Sequence, residues 1–172
     1  MEGKRVRDSA VYLSQVMQPQ DANIAGNVHG GVIMKLIDNA AGVVGVKHAH
    51  SNVVTASIDR LSFHYPVFVG DLMTLKASLN MVGKTSMEIG VRVETENILS
   101  GEIRHIASAY LTFVALDSIG KPTAVPPLIL ETDEEKRRNE EAQDRKRIRA
   151  LERIKEEEHQ KIQSLIKTQG QS

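Results

Sequence analysis

The chain of 172 residues has no cysteine, no tryptophan and only three tyrosines and three phenylalanines. The absence of cysteine excludes disulfides, thiolate nucleophiles and cysteine-ligated metals. No uncharged apolar run approaches the roughly 18 to 20 residues that a membrane-spanning helix needs. The 22 basic and 22 acidic side chains cancel. With no basic excess and few aromatic side chains to stack on bases, a nucleic-acid partner is not expected.

The composition favours one globular domain, since 41% of the residues are hydrophobic and the length suits a single core. Residues 1–10 have neither the apolar segment nor the cleavage site of a secretory signal. We therefore expect a cytoplasmic protein with no membrane association. A net charge of zero also favours self-association, so a homo-oligomer is expected.

The composition changes near residue 130, after Pro126-Pro127. Residues 131–167 contain eleven acidic and eleven basic side chains, many of them three or four positions apart, and no glycine or proline. This pattern predicts a helix. We divide the chain into a globular domain over 8–125 and a charged helical extension over 131–168. Lys155 and Glu158 interrupt the apolar heptad positions, which favours a solvated or partner-supported helix over a coiled coil.

The globular part has mixed periodicity, which indicates an α+β fold with an antiparallel sheet. Val32–Lys47 is apolar on all sides and predicts one long buried helix. A four-stranded meander is predicted to follow this helix, and a short strand before the helix completes the sheet. In the third strand of the meander, apolar residues alternate with polar ones, which predicts one covered and one solvated face. The predicted strands are Val11–Val16, Val53–His64, Leu72–Val82, Ser86–Glu96 and Ile103–Ala115.

The candidate site surrounds the start of the buried helix. Asp38 is a carboxylate in an otherwise apolar helix, where desolvation is costly unless a partner compensates it. Lys35 or a subunit boundary could supply that partner, or Asp38 could serve as a base or nucleophile. Gly30-Gly31 offers free backbone N–H groups at the positive end of the helix dipole, where an oxyanion would be stabilised.

Several motifs together resemble the acyl-CoA thioesterase branch of the hot-dog superfamily, which includes bacterial acyl-CoA hydrolases and the mammalian cytosolic brain enzyme. The resemblance covers about residues 8–125. It implies a long helix wrapped by an antiparallel sheet, and chains that dimerise and often assemble into hexamers. The matching motifs are Asp21-Ala22-Asn23, Gly26-Asn27-Val28-His29-Gly30-Gly31, Lys35-Leu36-Ile37-Asp38, Val53-Val54-Thr55, Pro66 with Gly70-Asp71, and Thr112-Phe113-Val114-Ala115.

The resemblance implies hydrolysis of acyl-CoA to free CoA and a carboxylic acid, with no cofactor. In a homodimer, Asn23 of one chain would act with Asp38 of the other. We expect Asp38 to serve as general base, or less favourably as nucleophile, and a backbone N–H of Gly30 or Gly31 to polarise the carbonyl. His29 is expected to line the entrance.

The phosphates of CoA need cations and backbone donors. Gly83, Lys84, Thr85 and Ser86 form a predicted hairpin turn that could supply both, and Arg60 is a second candidate. Ordinary turn or surface chemistry is the alternative for each of them. The spacing of the histidines does not fit a metal site, and no GxSxG elbow occurs.

Two other functions fit the same fold. One is a non-catalytic acyl-CoA sensor, although the few residues before the first strand are too short for a helix-turn-helix. The other is a hot-dog enoyl-CoA hydratase, which we disfavour because Val43 stands where that family has a histidine five residues after its aspartate. Release of free CoA from palmitoyl-CoA would distinguish the enzyme from the sensor.

Overall fold

A computed structural model describes residues 1–59 and 61–169. A curved antiparallel sheet packs around one long helix, as predicted. A single 3-10 turn at Pro19–Asp21 precedes that helix. In chain order the other elements are β1 (Lys4–Arg5), α1 (Val6–Ser9), β2 (Val11–Val16), α2 (Gly30–Ala49), β3 (Asn52–Ile58), β4 (Leu72–Val82), β5 (Ser86–Asn97), β6 (Glu102–Leu116), β7 (Leu128–Ile129) and α3 (Asp133–Gln169).

Helix α2 is the predicted central helix, extended by two residues at each end. One side of it is buried against the sheet, and the other is not covered by its own chain. Met34, Val43 and Val46 are each 44–46% exposed, so the expectation of a helix covered on all sides is wrong for a single chain. The side chains buried against the sheet are Ile33, Ile37, Ala40, Ala41 and Val44.

The strand order is β2-β4-β5-β6-β3, which corrects the predicted meander. β4, β5 and β6 are joined by short turns and pair in sequence. β3 instead pairs antiparallel with β6, at the far edge of the sheet. The connection over residues 59–71 is long enough to cross the end of the sheet, whereas a tight hairpin would have held β3 beside β4.

β3 is also shorter than predicted, because it ends at Ile58 and not at His64. Its register with β6 shifts between Thr55 and Ser57. The chain beyond Ile58 still follows β6, with single backbone hydrogen bonds from Asp59 N to Tyr110 O and from His64 N to Ile106 O. These isolated contacts do not make a regular ladder.

The face of β5 that points towards α2, here called the inner face, is apolar as predicted. Met87, Ile89, Val91 and Val93 are all buried there. The opposite, outer face was expected to be solvated, but Glu88 on that face has no exposed surface. Helix α3 covers this part of the sheet.

Helix α3 shows that the charged segment is helical, and one side of its first half docks on the sheet while the other side stays exposed. Ala142 is fully buried. Arg145 donates two hydrogen bonds to Glu88 Oε1, at 3.1 and 2.7 Å, and its guanidinium lies 3.7 Å from the centre of the Tyr110 ring. This docking could not be predicted from the net charge of zero, because a net charge does not show that the arginines involved lie on one side of the helix.

Across the described ranges, no helix is both long enough and apolar enough to cross a membrane.

Candidate active site

Asn23 lies in the loop that leads into α2, and its side chain helps to hold that loop. Asn23 Oδ1 accepts hydrogen bonds from the backbone N of Ala25 at 2.9 Å and of Asn27 at 3.3 Å. Gly26 has a φ of +82°, which an L side chain rarely adopts. The side-chain amide N–H groups of Asn23 make no hydrogen bond within the described part of the chain, so they are free to donate to a ligand.

The two glycines at the start of α2 differ in whether their backbone N–H groups are hydrogen-bonded. His29 is the N-cap residue, and its Nδ1 accepts the hydrogen bond donated by Gly31 N at 2.9 Å. Nδ1 is therefore unprotonated in this arrangement. The N–H of Gly30 has no acceptor among the described residues. Of the two glycines predicted to polarise the carbonyl, only Gly30 has a backbone N–H without an acceptor among the described residues, and His29 serves as the helix cap.

Asp38 is half-buried, and a hydroxyl group is its partner. Thr55 Oγ1 donates a hydrogen bond to Asp38 Oδ1 at 2.7 Å. The described residues include no ion pair between Lys35 and Asp38, so the proposed lysine partner is wrong. No hydrogen bond to the other carboxylate oxygen of Asp38 is present among the described residues. Thr55 was part of the motif that carried the resemblance but was not recognised as a site residue.

Within one chain, Asn23 and Asp38 line different clefts. The cleft at Asp38 has a volume of about 430 Å³ and a mostly apolar lining that includes Gly42, Val46 and Phe113. The cleft at Asn23 has a volume of about 360 Å³ and is also lined by Gly30. A single chain therefore presents two separate open clefts.

The predicted CoA-binding residues have only partly been located. Gly83, Lys84 and Thr85 do form the turn between β4 and β5, and Ser86 begins β5. Lys84 is exposed. Lys146 Nζ of α3 lies 3.5 Å from the position that a Cβ at Gly83 would take, which places a second cation at the turn. Arg60 lies outside the described residues.

This turn lies far from Asn23 in the same chain. Thr85 O accepts a hydrogen bond from Ala115 N, and Ala115 pairs with Val53, whose side chain packs against Gly45 in the last turns of α2. Gly30, at the other end of α2, lies 15 residues earlier, which is roughly 22 Å along a helix. The turn therefore belongs to the opposite end of α2 from Asn23.

The described residues include no group of three or more histidine, aspartate or glutamate side chains that could hold a metal ion. The one buried histidine, His48, is held by Pro126 O at 2.9 Å from its Nε2. Burial, more than any nearby charge, keeps the pKa of His48 below its ordinary value.

A family model described as "Thioesterase superfamily" matches residues 25–102. The strand order, the central helix and solved relatives with over 30% identity agree with that match. The chain belongs to this superfamily and has its hot-dog fold. The sequence resemblance to this family is therefore confirmed.

Relatives narrow the family further. The chain is 38% identical over 146 residues to the rat (Rattus norvegicus) cytosolic acyl coenzyme A thioester hydrolase, covering 84% of this chain but 38% of the rat protein. The chain thus spans well under half of that relative. It superposes on an apo hexameric acyl-CoA thioesterase with a TM-score of 0.85 and 39% identity, covering 88% of this chain and 97% of the other.

A Staphylococcus aureus acyl-CoA hydrolase, solved with butyryl coenzyme A and coenzyme A, gives a TM-score of 0.84 at 36% identity, covering 94% of this chain and 98% of that one. Alanine variants of an asparagine, an aspartate and a threonine of that hydrolase have also been solved. These three residues are separated by the same numbers of positions as Asn23, Asp38 and Thr55.

Proposed function

We propose that this protein hydrolyses acyl-CoA thioesters to free CoA and a carboxylic acid, in a site built from two copies of the chain. The observation that carries the proposal is the Asp38 carboxylate, held by Thr55 beside an open apolar cleft. The cleft suits an acyl chain, and the carboxylate lies where a thioester at its mouth would react. Asn23 and Gly30 of the second copy would complete the site.

In the proposed reaction, the free oxygen of Asp38 takes a proton from a water molecule, which attacks the thioester carbonyl carbon. The N–H of Gly30 and the side-chain amide of Asn23 donate to the carbonyl oxygen as it becomes negative. The tetrahedral intermediate then collapses, the C–S bond breaks, and the leaving CoA sulfur takes up the proton held by Asp38, which restores the carboxylate. Direct attack by Asp38 to give a mixed anhydride is the alternative. Neither route needs a cofactor.

The acyl chain would run along α2 from Asp38 past Gly42 towards Val46. A side chain at position 42 would project towards Phe113, whose ring carbon lies 3.8 Å from a Cβ placed there. The absence of that side chain leaves room for a slender ligand. The CoA phosphates would bind at Gly83–Ser86 with Lys84, and Arg60 is part of the same proposal.

We propose a homodimer as the smallest active unit, with further assembly into a hexamer. The exposed apolar side chains of α2 and of the edge strand β3, including Val43, Val46 and Val54, would be covered in that dimer. Hexameric acyl-CoA thioesterases of the same fold support the larger assembly. The cytosolic relative in rat supports a cytoplasmic location.

The test of the activity is release of free CoA from palmitoyl-CoA, measured with a thiol reagent. We expect Asp38→Asn to lower kcat by about 10²- to 10⁴-fold, the usual contribution of a general base, while CoA binding persists. Binding of palmitoyl-CoA by the wild-type chain without release of CoA would favour the sensor module. A series of acyl chains from C2 to C18 would then define the length that the cleft accepts.

The test of the composite site is complementation between inactive chains. Asn23→Ala and Asp38→Asn are each expected to be inactive alone. When the two are unfolded together and refolded in equal amounts, half of the dimers carry one intact site, so about a quarter of wild-type activity should return. If the wild type is active and the mixture is not, Asn23 and Asp38 act within one chain.

A further inference from the structure

A cluster of ion pairs joins α3 to the outer face of the sheet, and the catalytic scheme gives it no role. Glu88 is fully buried on the outer face and is paired with two arginines of α3, Arg145 and Arg149. Arg149 also reaches beyond β5. The Nη1 atom of its guanidinium lies 3.2 Å from Glu88 Oε2 and 2.5 Å from Asp59 Oδ2.

Asp59 is the first residue after β3, at the start of the long connection to β4. Its backbone N donates to Tyr110 O, and its side chain is 19% exposed. Arg149 thereby ties the beginning of this connection to the outer face of the sheet. Among the described residues, no other cation forms an ion pair with Asp59.

The described segment 61–68 follows in this connection, and its residues 63–67 form one wall of the Asn23 cleft. The Phe63 ring lies 3.8 Å from the position of a Cβ at Gly30. Val67 O accepts a hydrogen bond from Val28 N at 2.8 Å, which joins this segment to the loop that carries Asn23. The segment is thus anchored to the Asn23 loop at one end and begins just after Asp59 at the other.

We propose that Arg149 is a positioning residue: through Asp59, it holds the 61–68 segment in place as a wall of the Asn23 cleft, which is part of the proposed substrate site. This inference rests on the proposed function, and it gives the charged C-terminal helix a role in substrate binding. Arg149 contacts neither Asn23 nor Asp38, so its loss should disturb the binding of substrate more than the chemical step.

Arg145 provides a matched control from the same helix. It lies one turn before Arg149 and also binds Glu88, but it makes no contact with Asp59. Replacing either arginine with methionine keeps the apolar stem and removes one cation from Glu88. Only the replacement of Arg149 releases Asp59. Arg145→Met also removes the contact with the Tyr110 ring, so a purely structural role for the cluster would make Arg145→Met at least as disruptive as Arg149→Met.

For Arg149→Met we expect a rise in KM for palmitoyl-CoA of about three- to tenfold, with kcat within about twofold of wild type, the scale of effects from residues that couple to a site without touching it. Asp59→Asn should give the same split, and the double variant should be no worse than either single variant. Arg145→Met should leave KM unchanged. An equal rise in KM for Arg145→Met, or none for Arg149→Met and Asp59→Asn, overturns the proposal.

Hydrogen exchange tests the positioning without relying on activity. Peptides covering residues 61–68 should exchange at least about threefold faster in Arg149→Met and Asp59→Asn than in the wild type or Arg145→Met. If this difference appears while the wild-type protein releases no CoA, the positioning role stands and the proposed function fails. Unchanged exchange in both variants overturns the positioning role whatever the activity. Should Arg149→Met not fold, Asp59→Asn decides alone.

Discussion

The two faces of the sheet are covered in different ways. On the inner face, α2 meets apolar side chains such as Met87, Ile89 and Val91. On the outer face, α3 docks through Glu88, Arg145 and Arg149. Apolar packing is insensitive to direction, whereas the buried ions require particular partners at particular distances. The inner face therefore supplies most of the stability, and the outer face determines where α3 lies.

The largest effect is expected on the inner face. Ile89→Ala removes a fully buried side chain that packs against α2 beside Gly45. We expect the free energy of unfolding to fall by about 2–5 kcal/mol, with little dependence on salt. Urea denaturation measures the loss. Ile103→Ala is the matched control, since Ile103 is 64% exposed; a comparable loss there would contradict the contrast between the two positions.

A smaller effect is expected at His48, the buried histidine of α2. Because burial lowers the pKa of His48 in the folded protein, the unfolded chain binds a proton more readily. The free energy of unfolding should therefore be greatest above about pH 6.5, the ordinary histidine value, and fall as the pH drops below it. The measurement is urea denaturation between pH 7.5 and 5. His48→Gln should flatten this dependence, and an equally steep decline in that variant would contradict the assignment.

The smallest effect is expected at an ion pair on the outer face that α3 leaves partly solvated. Hydrogen bonds from Lys76 first, and then from Arg92, hold the pKa of Glu94 below its ordinary value. The contribution of this ion pair to the free energy of unfolding is present above the ordinary glutamate pKa and is lost as the pH falls through the lowered pKa of Glu94. Glu94→Gln should cost less than about 1 kcal/mol at neutral pH, as measured by thermal unfolding. The difference in stability between Glu94→Gln and the wild type should shrink in 1 M salt. A loss of several kcal/mol would mean that Glu94 behaves as a buried ion like Glu88, and would contradict the prediction.

The sequence predicted where the helices and strands lie along the chain better than it predicted which elements pack or pair with each other. Alternation located β4 to the residue and identified the inner face of β5, because side-chain period depends only on the local chain. It could not show that β3 crosses to β6, since alternation specifies a face and not a partner strand. Nor could it show that Glu88 is covered, although the spacing of Arg145 and Arg149 places both on one side of a helix.

The candidate site followed the same division. The motifs predicted a site at Asn23, Asp38 and the start of α2, but only the structure showed that Thr55 donates a hydrogen bond to Asp38. The occupation of the Gly31 N–H by His29 depends on a ring orientation that spacing does not encode. Asp38 was expected to be desolvated, yet it is only half-buried, because it borders the open side of α2 and a cleft that faces solvent.

The far-edge position of β3 has a consequence for the order of folding. Its pairing partners on β6 lie about sixty residues later in the chain, so this ladder closes a long loop, and such contacts form slowly. During synthesis, β3 cannot dock until β6 has left the ribosome. Thr55 therefore takes its place beside Asp38 only after β6 is available, and a nascent chain interrupted before residue 111 lacks the strand that holds Thr55 there.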